Sequence, residues 1–248
     1  KIGIDFISTP FDDSSIEFLT PLVPFFKVAS ADITNIPFLR KIAKKNKPVV
    51  LSTGAANLVE IDIAVNTIKK ISGSSPALMH CILCYPTNDD NANLKMIKHL
   101  KRSFPECTIG YSDHTIPDSE MKSVVTSYIL GAEIIEKHFT FNKKLPGNDH
   151  YHSMDIKDLI VLKSNIEKVK DLLGNASFKH PIEEEKISRQ NARRSIVTTN
   201  SLKANDLITE NDVTYKRPGT GISPLFWDEV IGKKIGKDVP EDYLLMWS

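Results

Sequence analysis

The sequence predicts an α/β protein whose main body is a (β/α)8, or TIM, barrel and whose last residues form a small second domain. Three observations predict it. Short β-rich runs alternate with helical segments, several of those runs end in polar residues, and the alternation stops well before the chain does. Strands alternating with helices give parallel βα units with right-handed crossovers. In a closed barrel the carboxyl ends of the strands form the active face, so polar groups collecting there favour a barrel enzyme.

The β-rich runs lie at Ile4 to Ser8, Phe25 to Ser30, Val49 to Ser52, Ala77 to Ile82, Thr108 to Ser112 and Glu133 to Phe139. Helical periodicity fills Pro37 to Lys45, Leu58 to Ile71, Asn93 to Phe104 and Ser119 to Leu130 between them. A closed barrel needs eight strands, and the residues after Phe139 add none of the same kind. Lys1 opens almost directly into an apolar run with no initiator Met and no signal-like segment, so the first two strands are expected upstream of it. Farther on, Ser153 or Asp155 is placed to cap a helix over Ile156 to Leu173, closed by Gly174. The polar, Pro-interrupted stretch after Gly174 reads as a linker. From Asn191 the pattern turns to short strands and turns (RRSIVTT, KRPGTGISP, IGKKIGKDVP). The expected domains are therefore 1–174, a linker over 175–190 and a second domain over 191–248. At about 58 residues the last is small for a core of its own and is expected to lean on another surface.

Composition narrows the partners. Lys and Arg number 32 against 31 Asp and Glu, so no global field draws the chain to nucleic acid or to an anionic membrane, and a small ligand is expected. Three cysteines are too few for a disulfide framework, and no run of about 18 apolar residues could span a bilayer, which points to a soluble protein of the reducing cytoplasm.

The chemistry-bearing residues sit at strand ends. His114 and His138 follow consecutive strands and fall side by side at the barrel mouth, where two imidazoles with water and substrate oxygens would suit an open divalent site such as Mn²⁺ or Zn²⁺. The plainer alternative is hydrogen bonding at the rim. Glu136 shares a strand face with His138 and lies one layer deeper, where desolvation would raise its pKa for acid or base work; Lys137 points to the other face. Lys27 and Ser30, Ser52 and Ser112 close three strands, one cation and three hydroxyls able to bind a phosphate or carboxylate without a glycine-rich loop. Cys81 and Cys84 form a CxxC without a second pair and are taken as packing residues, and His80 as a satisfied core histidine.

These residues resemble the sialic acid synthase family, which includes N-acetylneuraminate, legionaminic acid and pseudaminic acid synthases. The similar stretches are FISTPFD, FFKVAS, KPVVLSTG, HC followed by CYPT, IGYSDHT, GAEIIEKHFT, LPGNDHYHSMD, ARRSI and KRPGTGISP, in order and nearly end to end. The resemblance implies a (β/α)8 barrel followed by an antifreeze-like (SAF) domain, in a domain-swapped homodimer where each SAF domain covers its partner's barrel mouth. It implies condensation of phosphoenolpyruvate with the open-chain aldehyde of an N-acylated hexosamine, with release of phosphate, to give a nine-carbon 2-keto acid. It places His114 and His138 on a Mn²⁺ or Mg²⁺ that polarises the aldehyde, and Glu136 beside them in a proton-handling or cation-stabilising role. By the same resemblance Lys27, Ser30, Ser52 and Ser112 meet phosphoenolpyruvate, Tyr85 and Asp149 meet the sugar, and Arg217 reaches the N-acyl group from the partner subunit.

Two departures from the family pattern stand out. Ile82 and Leu83 replace polar residues expected near the phosphate, and Asp113 to Asp118 (DHTIPD) alter the turn after His114. The alternatives to a synthase are a metal-dependent aldolase, which releases no phosphate, and a non-catalytic sugar-binding or dimerising relative.

Overall fold

The computed structural model describes residues 3–247. They form two compact units that meet in sequence at Gly174 and Asn175.

The first unit opens on α1 (Asp13–Leu19), then β1 (Phe26–Val28), α2 (Ile36–Ala43), β2 (Val49–Ser52), α3 (Leu58–Ser72), β3 (Ala77–His80), α4 (Lys95–Ser103), β4 (Ile109–Asp113), α5 (Lys122–Ile129), β5 (Ile134–Lys137) and α6 (Ile156–Leu173). The five strands pair in chain order and all are parallel, so each helix from α2 to α5 is the crossover of one βα unit. The result is a curled parallel sheet with helices, half of a barrel. Its core is built from strand residues with no exposed surface, Phe26, Val28, Leu51, Leu78 and Ile109, packed with Leu39, Ile42, Ala64 and Ile97 from the helices.

Local chemistry sets the helix bounds. Asn57 accepts from the amides of Val59 and Glu60 while Glu60 returns a bond to the Asn57 amide, a capping box that starts α3, and Gly73 ends it at φ 77°. Asp155 and Asp158 make the same reciprocal box at the start of α6, so Asp155 rather than Ser153 is the cap. Asp12 caps α1, a helix the periodicity did not reveal because only Ile16 and Leu19 face inward.

One expected strand is absent. Ile4 to Ser8 forms no strand among the described residues, and Ile4 is 83% and Phe6 61% exposed. An apolar run becomes a strand only where a neighbour takes its amides and carbonyls.

The second unit begins inside the stretch expected to be a linker, where α7 (Lys186–Ala192) is helical. There β6 (Ser195–Thr198) pairs antiparallel with β7 (Val213–Lys216), and α8 (Trp227–Val230) follows. The expected strand in RRSIVTT is β6. KRPGTGISP is instead a turn behind β7, and IGKKIGKDVP contributes only the isolated bridges of Lys234 to Leu207 and Val239 to Leu202. The unit has a core of its own, with Ile196, Leu202, Ile208, Val213, Ile222, Val230, Val239 and Leu245 buried together. Among the described residues no helix is long and apolar enough to cross a membrane.

Candidate functional site

Register decides which side chains meet. Lys27 pairs with Val50, Val50 with Ala77, Ser52 with Met79, Met79 with Gly110, and Gly110 with Ile134. Because side chains alternate with period two, Lys27, Ser52, Met79, Ser112 and Glu136 share one face of the sheet. One step beyond the strand ends, the same alternation carries His114 and His138 on that face.

On this face the structure brings together three of the expected residues. Lys27 Nζ lies 3.1 Å from Glu136 Oε2, and the Ser112 hydroxyl donates to Glu136 Oε1 at 2.6 Å. The expectation of a deep, desolvated Glu136 is not met, since its side chain is 40% exposed and its two oxygens are held by a cation and a hydroxyl. Among the described residues Ser30 shares no hydrogen bond with these three: its oxygen accepts from the Gly54 amide at 3.0 Å and lies 3.1 Å from Cys81 Sγ. Ser52 is buried at the end of β2 and shares no hydrogen bond with the Lys27 cluster among the described residues. A cavity of about 860 Å³ runs along the inward face, lined by Lys27, Val50 and Glu136 and continuing to Pro48 and Pro76 near the strand starts.

The opposite face carries a buried ion pair. Lys137 Nζ is 2.8 Å from Asp113 Oδ2, and both side chains are 1% exposed. Asp113 Oδ1 also accepts from the Tyr111 hydroxyl, the Thr115 amide and the Ser123 hydroxyl, and Lys137 donates to the Thr115 carbonyl. Burial, and next the Asp113 carboxylate, push the Tyr111 phenol well above its ordinary range. These bonds tie the ends of β4 and β5 together directly behind the two histidines.

At the mouth, His114 Nδ1 donates to the Ile82 carbonyl at 2.8 Å, which leaves the Nε2 lone pair free. Its ring stands edge-on to His138 with centroids 5.5 Å apart, and Tyr85 lies 4.2 Å from His114 and 5.8 Å from His138. Burial is the first cause that lowers the His114 pKa, which keeps the imidazole neutral and able to ligate. Burial likewise raises the Tyr85 phenol, with lesser contributions from Cys81, Glu136 and Asp149. The chain after β5 turns back, because the Met154 amide donates to the His138 carbonyl and the Thr140 amide to the Met154 carbonyl. That return sets Asp149 Oδ2 4.0 Å from His138 Nδ1 and brings in His152, a residue not singled out from the sequence, with its ring 5.2 Å from that of His138. The signal available for it was the spacing of His150 and His152 behind Asp149.

Arg217 belongs to the second unit, exposed and immediately after β7. His80 is satisfied, with Nε2 donating to the Ala92 carbonyl at 2.9 Å and its ring stacked 5.7 Å from Tyr111. Of the CxxC pair Cys81 is buried, Cys84 is exposed, and both are free thiols.

Two family models match this chain, one over each unit. The NeuB family model matches residues 1–178 and the SAF domain model matches residues 193–248. An uncharacterized protein of Methanocaldococcus jannaschii is 40% identical, over 100% of this chain and 72% of its own length. The N,N'-diacetyllegionaminic acid synthase of Campylobacter jejuni is 38% identical, over 99% of this chain and 73% of its own. A crystal structure of N-acetylneuraminic acid (sialic acid) synthetase from Leptospira borgpetersenii superposes with a TM-score of 0.68 at 37% identity, covering 75% of this chain and 63% of that one.

Proposed function

This chain belongs to the NeuB family, whose relatives are sialic, legionaminic and pseudaminic acid synthases, and from that membership we propose that it condenses phosphoenolpyruvate with an N-acylated hexosamine. The sugar is N-acetylmannosamine or a 2,4-diacetamido-trideoxyhexose. C3 of the enol phosphate bonds to the aldehyde carbon, water adds at C2, and the bond from C2 to the phosphate oxygen breaks, leaving a 2-keto acid and inorganic phosphate.

The observation that carries this reading is the juxtaposition of an anion site and an imidazole pair on one sheet face. Lys27 and Ser112 converge on Glu136 one register step below His114 and His138. In this reading Lys27 binds the phosphoenolpyruvate anion, with Ser30, Ser52 and Ser112 offering hydroxyls around it. Its pairing with Glu136 holds the ammonium in place before substrate arrives. Glu136 takes the proton of the water that adds at C2, and its carboxylate stabilises positive charge developing there. Tyr85 and Asp149 meet the sugar, and Arg217 of a partner subunit meets the N-acyl group in a homodimer.

The residues present fit a divalent ion. His114 has one nitrogen engaged and the other free, burial holds it neutral, and His138 stands next to it. These two would hold Mn²⁺ or Mg²⁺. Bound there, the ion supplies Lewis-acid polarisation of the aldehyde carbonyl.

The test is phosphate release by the purified chain with Mn²⁺, phosphoenolpyruvate and each candidate sugar in turn. Release that requires both substrates is expected. Release without a sugar, or a pyruvate aldol product without phosphate, overturns the proposal.

A further inference from the structure

We propose that His152 and Asp149 join His138 as ligands of the divalent ion, so that one further imidazole and one carboxylate add to the pair of His114 and His138. The inference rests on the proposed use of a divalent ion at this site and adds to it which residues hold that ion.

The first ground is an orphaned side chain. His152 is wholly buried, and neither of its ring nitrogens makes a well-formed hydrogen bond among the described residues, the backbone at Asn148 being the nearest polar group to offer one. Leaving a buried polar group unpaired is costly, so native proteins rarely keep one without a function or a bound species to satisfy it. A buried leucine would fill such a place without that penalty.

The second ground is what surrounds it. His152 Nε2 is 3.9 Å from Asp149 Oδ1, and His138 Nδ1 is 4.0 Å from Asp149 Oδ2. One donor atom from each of the three side chains lies within 4.8 Å of the other two. Donors at about 2.1 Å from a cation stand about 3 Å apart when they meet it at right angles. The observed spacings therefore need each side chain to close by less than about 1 Å. They are too long for hydrogen bonds among the three groups themselves, so these groups do not satisfy one another.

The backbone holds the set in place. The Met154 amide on the His138 carbonyl, the Ser153 hydroxyl on the Asp149 carbonyl and the Ser153 amide on the His150 carbonyl close the loop around His152. Imidazole and carboxylate donors of this kind would suit Mn²⁺, and the set is small enough to leave substrate oxygens room on the ion. Asp149 is 64% exposed, so solvent and substrate reach this carboxylate.

The experiment measures metal binding and not turnover. The full chain is stripped of metal, and Mn²⁺ is titrated while the free-ion electron paramagnetic resonance signal is followed, for the native sequence and for His152→Leu and His152→Gln. The native chain is expected to bind one Mn²⁺ with nitrogen couplings. His152→Leu should weaken binding tenfold or more and remove one nitrogen coupling, while its metal-free melting temperature stays the same or rises because an orphaned polar group has been replaced. His152→Gln covers the case in which the leucine variant fails to fold. Unchanged affinity in a folded His152 variant, with binding lost in His138→Ala, overturns the role of His152 and leaves the ion at His138. No Mn²⁺ or Mg²⁺ binding by the native chain at millimolar concentration overturns the metal reading itself, and this inference with it.

Discussion

Replacing Lys137 by Met tests whether the ion pair behind the site carries the stability of the sheet ends. The substitution keeps most of the stem and removes the charge, leaving Asp113 buried at 1% exposure with Oδ2 unpaired. Removing one partner of a buried pair costs about 3 to 5 kcal/mol. Here Oδ1 keeps three donors, from Tyr111, Thr115 and Ser123, so the cost falls at the lower end, about 3 kcal/mol. With an m value of about 2 to 3 kcal/mol/M, the urea midpoint drops by about 1 M. The helices of the first unit dominate the far-ultraviolet circular dichroism signal, which is the readout, since Trp227 and Trp247 both lie in the second unit. The control is Lys101→Met. Lys101 pairs with Glu133 at 3.2 Å, but the two side chains are 52% and 57% exposed, so its loss should cost under about 1 kcal/mol. Adding Asp113→Asn to Lys137→Met removes the stranded charge while keeping an acceptor, and should recover about 1 kcal/mol or more. Equal, small losses for the two lysines would refute the reasoning, because burial would then add nothing to the pair.

Gly110→Ala should destabilise by about 2 kcal/mol or more, seen as a lower thermal midpoint, because its Cβ would fall 2.7 Å from the Ile134 carbonyl oxygen in the β4 to β5 ladder and would clash with Met79 Sδ. A melting temperature within about 1 to 2 °C of the native value, roughly the error of such a comparison, would show that the strands shift apart freely. His80 is neutral in the fold because burial lowers its pKa below the ordinary 6.5. The unfolded chain therefore binds more protons as pH falls through 6.5 toward the folded value, and stability present above 6.5 is lost in that window. His80→Gln should flatten this fall in denaturation midpoints measured between about pH 7 and 5, and an unchanged slope would count against it.

Much of the first unit was legible because its signals are local. Val49–Ser52 and Ile156–Leu173 fall where the β-rich run and the capped apolar period put them. Alternation along EKHF sufficed to place Glu136 and His138 on one face, and parallel pairing of successive strands put Ser112 against Glu136. Less legible were features that depend on a neighbour. The run from Ile4 has strand composition but no strand beside it, and β7 lies just ahead of the Pro and Gly residues that drew attention to KRPGTG. His152 was hidden for a similar reason: its burial comes from the return of Met154 onto His138, and the polar stretch that contains it reads as an exposed loop.

The substitution of apolar residues at Ile82 and Leu83 shows why side-chain identity alone misjudges such a site. Read from the sequence, the pair strips polar groups from the neighbourhood of the phosphate. In the fold, position 82 serves His114 through its main-chain carbonyl, which accepts from Nδ1 whatever side chain the residue carries. The Thr87 amide on the His114 carbonyl then fastens the other side of the same residue and draws the segment bearing Tyr85 over the ring. Orientation and tautomer of His114 are thus set by backbone groups, and an Ile at 82 leaves them intact. What the two apolar side chains change is confined to contacts that side chains make, so a defect caused by them belongs in the affinity for phosphoenolpyruvate and not in the placement of the imidazole pair.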